Sequence, residues 1–375
     1  MSDWSRRWEA ARRLRVALFV VATALVLLAR PASHHARAAT LLVSFSDAEA
    51  KPALVEERIA IGALAARVYA PAGGGDLPGV VVVHGVHRLG IDEPRLERFS
   101  RALAASGVVV LTPEVKELRD YRVAPASIDT VGVAVRALAE RTGRRHVGLM
   151  GMSFGGGIAL LTAADPRFAD AIGFVVAVGA HADLARVSRF FATDLVEEPS
   201  GASTPLRAHE YGATVLVYSH ADQFFPPAEA AKAADALRLW LWEQKAEARA
   251  IAAELSPEVR AKVERLFAAD VASMRGELLD AIGRLEGAMA EVSPRGRLDA
   301  LRANVYLLHG AGDVVIPASE TLWLAREVPP ARLRAVLVSP AIQHVELKEP
   351  TARDKWELVH FMGMVLGEAE ATPSR

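Results

Sequence analysis

The sequence predicts an α/β fold in which helices cover both faces of a mostly parallel sheet. Three observations lead to this prediction. Runs of consecutive β-branched residues recur along the chain and are typical of strands buried on both faces. Segments with helical spacing separate these runs, and the alternation resumes after a long helical stretch. Strands that alternate with helices are typical of a parallel sheet.

The first elements are predicted to be an edge hairpin, because residues 55–62 and 64–71 alternate and end at turn residues. The helix predicted next illustrates the reasoning: Leu96, Phe99 and Leu103 share a face, and Gly107 ends the helix. The same reading predicts strands at 78–85, 108–114, 145–153 and 171–181 and helices at 96–107, 128–143 and 154–165.

Residues 184–295 interrupt the alternation with helical signals, such as the cap Ser256 followed by Pro257. We therefore predict an all-helical lid inserted between core segments 40–183 and 296–375, although its apolar stripes equally fit the core of a helix bundle. The α/β pattern resumes at 304–317, with a helix at 318–329, a strand at 333–344 and a closing helix at 352–367.

Composition excludes several classes of function. The 375 residues are 51% hydrophobic and carry a net charge of −1, which argues against a nucleic-acid partner. The chain has no cysteine, so disulfides, thiolate metal sites and a cysteine nucleophile are excluded. No metal-ligand spacing and no cofactor fingerprint is visible.

Residues 1–39 are predicted to be a signal peptide or a membrane anchor. Arginines precede residues 16–29, which carry no charge. A helix of that length spans about 21 Å, short of a hydrocarbon core of about 30 Å, and suits a signal peptide. Ala36 to Ala38 fit a cleavage site; an anchor that attaches residues 16–29 to the membrane and a cytosolic amphipathic tail are the alternatives. The signal peptide and the membrane anchor both make the protein extracytoplasmic, periplasmic or secreted.

Ser153 is the candidate nucleophile. It lies in Gly-Met-Ser-Phe-Gly between a predicted strand and a predicted helix, which is the context of a nucleophile elbow. The helix N-terminus adds positive potential near the hydroxyl. A serine in an ordinary glycine-rich turn is the alternative.

His344 is the candidate general base and Asp313 the candidate acid that orients it. Each follows a predicted strand, so both are expected at the same sheet edge as Ser153. Asp222 is a rival acid, because residues 214–222 also look like a strand that ends in a carboxylate. A loop-capping Asp313 and a solvated loop His344 are the alternatives, and His84 suits a structural role better than that of a base.

With these residues the chain resembles the α/β-hydrolase superfamily, particularly its dienelactone hydrolase-like and prolyl-oligopeptidase-like branches. The order Ser153, Asp313, His344 is the order of that fold. The resemblance lies within 55–183 and 296–367 and is carried by "HGVH" at 84–87, "GMSFGG" at 151–156, "GAGDVVIP" at 310–317 and "QH" at 343–344.

The resemblance implies an oxyanion hole built from the backbone N–H groups of Val86 and Phe154. It implies no cofactor. Dienelactone hydrolases carry cysteine where this chain has Ser153, so a dienelactone substrate is not implied.

The leading hypothesis is a serine hydrolase that cleaves a carboxylic ester or a related small acyl compound through an acyl-enzyme. An acyltransferase, a peptidase with the same triad, and an inactive extracytoplasmic binding protein are the alternatives. The lid is expected to cover the carboxyl edge and shape the acyl pocket. Its candidate contacts are Phe224, Phe225, Trp240 and Trp242; the oligomeric state stays open.

Overall fold

The centre of the protein is an eight-stranded sheet. The computed structural model describes residues 31–47, 49–50, 52–343, 346–347 and 351–372. Its strands are β1 (Leu54–Ile61), β2 (Leu64–Pro71), β3 (Gly79–Val83), β4 (Val109–Pro113), β5 (Val147–Met152), β6 (Ile172–Val178), β7 (Leu195–Glu197), β8 (Ser203–Pro205), β9 (Asn304–Gly310), β10 (Leu333–Ser339), β11 (Ile342–Gln343) and β12 (Glu346–Leu347).

The strand order of the sheet is β1-β2-β4-β3-β5-β6-β9-β10. Strand β2 pairs antiparallel with β1 and β4, and the other neighbours pair in parallel. The predicted hairpin and the predicted mostly parallel sheet are therefore confirmed. Because parallel strands share a direction, the carboxyl ends of β3, β5, β6 and β9 meet at one edge.

The described residues form thirteen α-helices. They are α1 (residues 31–46), α2 (Pro94–Ala105), α3 (Lys116–Arg119), α4 (Ala126–Arg141), α5 (Phe154–Ala164), α6 (Leu184–Thr193), α7 (Tyr211–Ser219), α8 (Ala230–Leu241), α9 (Lys245–Ala253), α10 (Pro257–Phe267), α11 (Arg275–Ala290), α12 (Ser319–Glu327) and α13 (Ala352–Ala371).

The helices form a layer on each face of the sheet. Strand β3 explains why both layers are needed: its consecutive valines alternate between the faces, so Val81 and Val83 enter one core and Val80 and Val82 the other. Helices α4, α5 and α12 pack in the first core, and α1, α2 and α13 in the second. A run of apolar β-branched residues thus stays buried only between two helical layers.

The insertion comprises α6 to α11 and also the short antiparallel hairpin β7–β8, so it is not all-helical as the sequence predicted. Its apolar stripes form a core of their own that includes Leu237, Val263 and Leu278. The two ends of the insertion meet, because the Arg295 N–H donates to the Ala182 carbonyl at 2.9 Å. The insertion therefore leaves and rejoins the sheet layer at one place.

Helix α1 crosses the predicted boundary at residue 39, and its Ala38 and Leu41 are buried in the second core. None of the helices among the described residues is long and apolar enough to cross a membrane. The predicted apolar segment 16–29 lies outside the described residues.

Candidate active site

Ser153 lies in the sharp turn between β5 and α5, as predicted. Its φ of 54° and ψ of −131° lie outside the usual regions for a residue with a side chain, a conformation that costs about 1–3 kcal/mol. Its N–H donates to the Val178 carbonyl at 2.7 Å, and its carbonyl accepts from Gly156 at 2.8 Å. Among the described residues, the buried Ser153 Oγ has no hydrogen-bond partner.

Two glycines leave the space that the backbone of this turn needs. A Cβ at Gly151 would lie 2.2 Å from the Gly155 carbonyl oxygen, and a Cβ at Gly155 would lie 2.4 Å from that of His84. Backbone atoms cannot move aside as a flexible side chain can. The Gly-x-Ser-x-Gly spacing is therefore required by the packing of the turn itself.

His84 holds the loop that faces Ser153. Its Nε2 accepts from the Val115 N–H at 3.1 Å, so Nδ1 carries the proton and donates to the Gly85 carbonyl at 2.7 Å. Burial lowers the pKa of His84 to about 4. These contacts support its predicted structural role.

The two predicted oxyanion-hole residues flank the serine. Phe154 is the first residue of α5, where an N–H has no acceptor within the helix. Val86 follows Gly85, at which a Cβ would lie 3.0 Å from the Ser153 Cβ. No hydrogen bond leads from the backbone N–H of Val86 or Phe154 to any part of the chain that the structure describes.

Asp313 lies in the loop after β9, almost completely buried. Its Oδ1 accepts from the N–H groups of Val315 at 2.8 Å and Ile316 at 3.0 Å, and its Oδ2 lies 3.6 Å from His309 Nε2. The carboxylate thus caps its own loop, as the alternative proposed. Because these two hydrogen bonds hold Oδ1 in place, they also fix the direction in which Oδ2 points.

The insertion reaches this acid loop. The His209 N–H donates to the Val314 carbonyl at 2.8 Å. Burial and the negative charge of Asp313 both raise the pKa of Tyr211, at the start of α7. The predicted acid therefore lies between the sheet and the insertion.

The rival acid, Asp222, is not at the sheet edge. The segment predicted as a strand before it is helix α7, and that prediction is wrong. Asp222 itself is exposed in a short 3-10 helix and accepts a hydrogen bond from Gln223. Helix α7 is buried on most sides, so its uniformly apolar sequence carries no clear helical period.

His344 lies outside the described residues. Before it, β11 pairs antiparallel with β12. The Ile342 carbonyl oxygen lies close to Gly310 at the end of β9, at 2.4 Å from where a Cβ would stand. Ile342 also lines a cavity together with Ser153.

That cavity has a volume of about 130 Å³ and contains the predicted nucleophile and the loop before it. Its polar lining includes His87, Glu93 and Arg95, with Glu93 and Arg95 paired at 2.8 Å. Burial lowers the pKa of His87. Within the described ranges, no three histidine or acidic side chains are placed to bind a metal ion together.

Sequence reasoning missed one wall of this cavity, which α1 supplies through Leu42 and Phe45. The sequence does contain a signal for this helix. Ala38, Leu41, Leu42 and Phe45 follow the i, i+3, i+4, i+7 spacing of an amphipathic helix.

A second cavity, of about 230 Å³, lies between the insertion and the core. Val86 and Phe154 line it together with Leu184 and Leu216 of the insertion. The proposed lid contacts lie elsewhere: Phe224 and Phe225 are buried in the core of the insertion. Trp240 stacks on Phe267 at 4.1 Å between ring centroids.

The sheet order, the two helical layers and the strained serine between β5 and α5 are those of the α/β-hydrolase fold. This identifies the fold, and a fold does not by itself determine an activity.

No family model matches the chain. Among curated proteins, the pimeloyl-[acyl-carrier protein] methyl ester esterase of Aromatoleum aromaticum is 44% identical over 45 residues, a match that covers 12% of this chain and 18% of that protein. The chain therefore matches less than a fifth of that relative's length.

Solved structures with a similar fold include the following two. The 2,6-dihydroxy-pseudo-oxynicotine hydrolase is 16% identical with a TM-score of 0.47, over 86% of this chain and 70% of that chain. The Pyrobaculum calidifontis esterase is 17% identical with a TM-score of 0.46, over 91% of this chain and 92% of that chain. Similarity at such low identity concerns the fold alone.

Proposed function

We propose that this protein is a serine hydrolase that cleaves a carboxylic ester, or a related small acyl compound, through an acyl-enzyme. Ser153 is the nucleophile, His344 the general base and Asp313 the residue that orients it. The backbone N–H groups of Val86 and Phe154 form the oxyanion hole.

The observation that carries the proposal is the backbone conformation of Ser153 and its burial beside a cavity. Its backbone is strained, and its buried Oγ has no partner among the described residues although it lines a cavity. Backbone strain that is retained at a buried serine lining a cavity is best explained by chemistry at that residue.

The surroundings of Asp313 and Ile342 support the other assignments. Asp313 is fixed by two backbone N–H groups in the loop that follows β9. Ile342, two residues before His344, lines the cavity of Ser153 and lies beside the end of β9. These contacts of Ile342 support the assignment of His344 as the base.

The reaction has two halves. Ser153 Oγ attacks the carbonyl carbon while His344 takes its proton, and the N–H groups of Val86 and Phe154 stabilise the resulting oxyanion. The C–O bond then breaks, and His344 gives the proton to the departing alkoxide. Water attacks the acyl-enzyme by the same route, which releases the carboxylic acid and restores Ser153.

Labelling of the purified full chain with a fluorophosphonate tests the proposal. We expect labelling of the wild type and of the control Ser188→Ala, because Ser188 is a buried serine of the insertion. Ser153→Ala should remain unlabelled and should lose ester hydrolysis. A folded wild type without labelling or hydrolysis would favour an inactive binding protein; transfer to an added amine or alcohol in preference to water would favour an acyltransferase.

We also propose that the protein acts outside the cytoplasm. The arginine-rich segment before the uncharged residues 16–29 supports this location. The test adds a protease to intact cells and to cells whose outer membrane alone has been permeabilised. If the protein is still protected from digestion after the outer membrane is permeabilised, the proposed location is contradicted.

A further inference from the structure

The cavity beside Ser153 continues from the carboxyl edge along one face of the sheet. Sheet residues such as Met150 and Leu308 line one side of it. Leu96 and Phe99 of α2 and Leu358 of α13 line the other side. Apart from Ser153, the loop with His84 and His87, and the ion pair of Glu93 and Arg95, the lining is apolar.

Helix α1 lines this cavity and is tied to its neighbours by polar contacts. Arg37 Nε donates to the Ser106 carbonyl at 2.7 Å, and Arg37 also pairs with Glu370. His34 Nε2 lies 2.7 Å from Glu370 Oε2. These polar contacts join α1 to the end of α2 and to α13, the two helices that line the cavity opposite the sheet.

Leu42 and Phe45 are one helical turn apart, so both face the cavity. The Phe45 ring meets the Phe99 ring edge to face, with 5.6 Å between centroids. Val43, which lies between Leu42 and Phe45 in the sequence, points outward and is 69% exposed. The helix therefore presents one face to the cavity and another to the solvent.

We propose that helix α1 is a wall of the acyl-binding pocket and that Phe45 limits the length of an apolar acyl chain. This inference rests on the proposed function, since it needs Ser153 to form an acyl-enzyme. The acyl group is the part of the substrate that stays attached to Oγ while the leaving group departs. The cavity that adjoins Oγ therefore suits the acyl chain, and the insertion side, with the second cavity, is left for the leaving group.

Apolar contact between the acyl chain and the cavity should make the enzyme selective for chain length. Each buried methylene strengthens binding about fourfold until the chain meets Phe45. Removal of that ring should admit longer chains, and a larger residue at Leu42 should exclude chains that the wild type accepts. The two changes act in opposite directions, so a general loss of stability cannot imitate both.

The test measures kcat/KM of the full chain for p-nitrophenyl esters from acetate to laurate. For Phe45→Ala we expect the preference for long over short chains to rise about tenfold or more. Leu42→Trp should shift the preference toward short chains by a similar factor. The control Val43→Ala should reproduce the wild-type profile, because Val43 belongs to the same helix but faces solvent.

A second series keeps the acyl group as acetate and varies the length of the alkyl alcohol. Phe45→Ala should leave this profile unchanged. Profiles of both variants that coincide with the wild type, or a response confined to the alcohol series, would overturn the inference. Fluorophosphonate labelling separates the two proposals: with labelled Ser153 such results refute the acyl pocket alone, and without labelling or hydrolysis in the wild type both proposals fail.

Discussion

Arg186 and Glu320 form a buried ion pair that connects α6, the first helix of the insertion, to the core helix α12, with 2.5 Å between Nε and Oε1. Their side chains are 6% and 1% exposed. Glu320 Oε2 also accepts from the N–H groups of Ala182 and Asp183, at 2.7 and 3.0 Å. One carboxylate thus fixes both the end of the sheet layer and the start of the insertion.

Replacement of Glu320 by Gln should lower the free energy of unfolding by about 3–5 kcal/mol, because it leaves the Arg186 charge buried without its main partner. Urea unfolding measures this. The exposed pair of Asp170 and Arg302, with side chains 79% and 70% exposed, supplies the control. Asp170→Asn should cost less than about 1 kcal/mol; equal losses in the two variants would show that burial of the pair is unimportant.

Asp313→Asn should reduce kcat by about 10³ to 10⁴, because an amide cannot stabilise the positive charge that develops on the base. The amide oxygen can still accept from Val315 and Ile316, so the stability should change little. Ester hydrolysis and thermal unfolding, measured on the same sample, separate the two effects. Asp222→Asn is the matched control and should retain wild-type activity, since Asp222 is exposed and away from the sheet edge. A loss confined to Asp222→Asn would reverse the assignment of the acid.

Gly155→Ala should destroy the elbow. The added methyl would lie 2.4 Å from the His84 carbonyl oxygen, and neither backbone segment can give way without moving Ser153. We expect fluorophosphonate labelling to fall at least a hundredfold. Gly283→Ala is the control, because Gly283 is exposed in α11 and a Cβ there meets nothing within 4 Å. That change should raise stability by up to about 1 kcal/mol, and full labelling of Gly155→Ala would refute the packing argument.

His181 should make the protein less stable in acid. Burial lowers its pKa from 6.5 to about 4 in the folded protein. The unfolded chain therefore binds the proton more readily between these values, and stability that is present above pH 6.5 is lost as the pH falls toward 4. From pH 8 to pH 5 this residue alone should account for about 2 kcal/mol of the loss.

The measurement compares the pH dependence of urea unfolding in the wild type and in His181→Gln. Any loss of packing in the variant is the same at each pH and cancels from the comparison. The variant should lose about 2 kcal/mol less than the wild type between pH 8 and pH 5. Parallel curves would mean that the pKa of His181 is the same in the folded and the unfolded protein.

The sequence was a good guide where one local signal decides the structure. The valines of β3 required burial on both faces, and the glycines around Ser153 required a tight turn between strand and helix. Helix α7 was mistaken for a strand because it packs against the core and the insertion at once, so its apolar residues show no helical period. A continuous apolar run of about nine residues does not distinguish the two structures.

Helix α1 was missed for a different reason. Its amphipathic spacing was visible, but spacing does not say what a face covers. Its partners in α13 lie more than 300 residues away along the chain, as the 333-residue separation of Arg37 and Glu370 illustrates. The same limit applies to Asp313, whose loop position was predictable but whose contact with the insertion was not.

The contact between the first and last described helices also constrains when the cavity beside Ser153 can be completed during synthesis. Helix α13 contributes Leu358 and Met362 to this cavity and is synthesised after all the other described helices. Until then the elbow can already be formed, while one side of the cavity and the docking site of α1 are missing. A chain whose synthesis has not yet reached α13 therefore carries Ser153 without the complete cavity beside it.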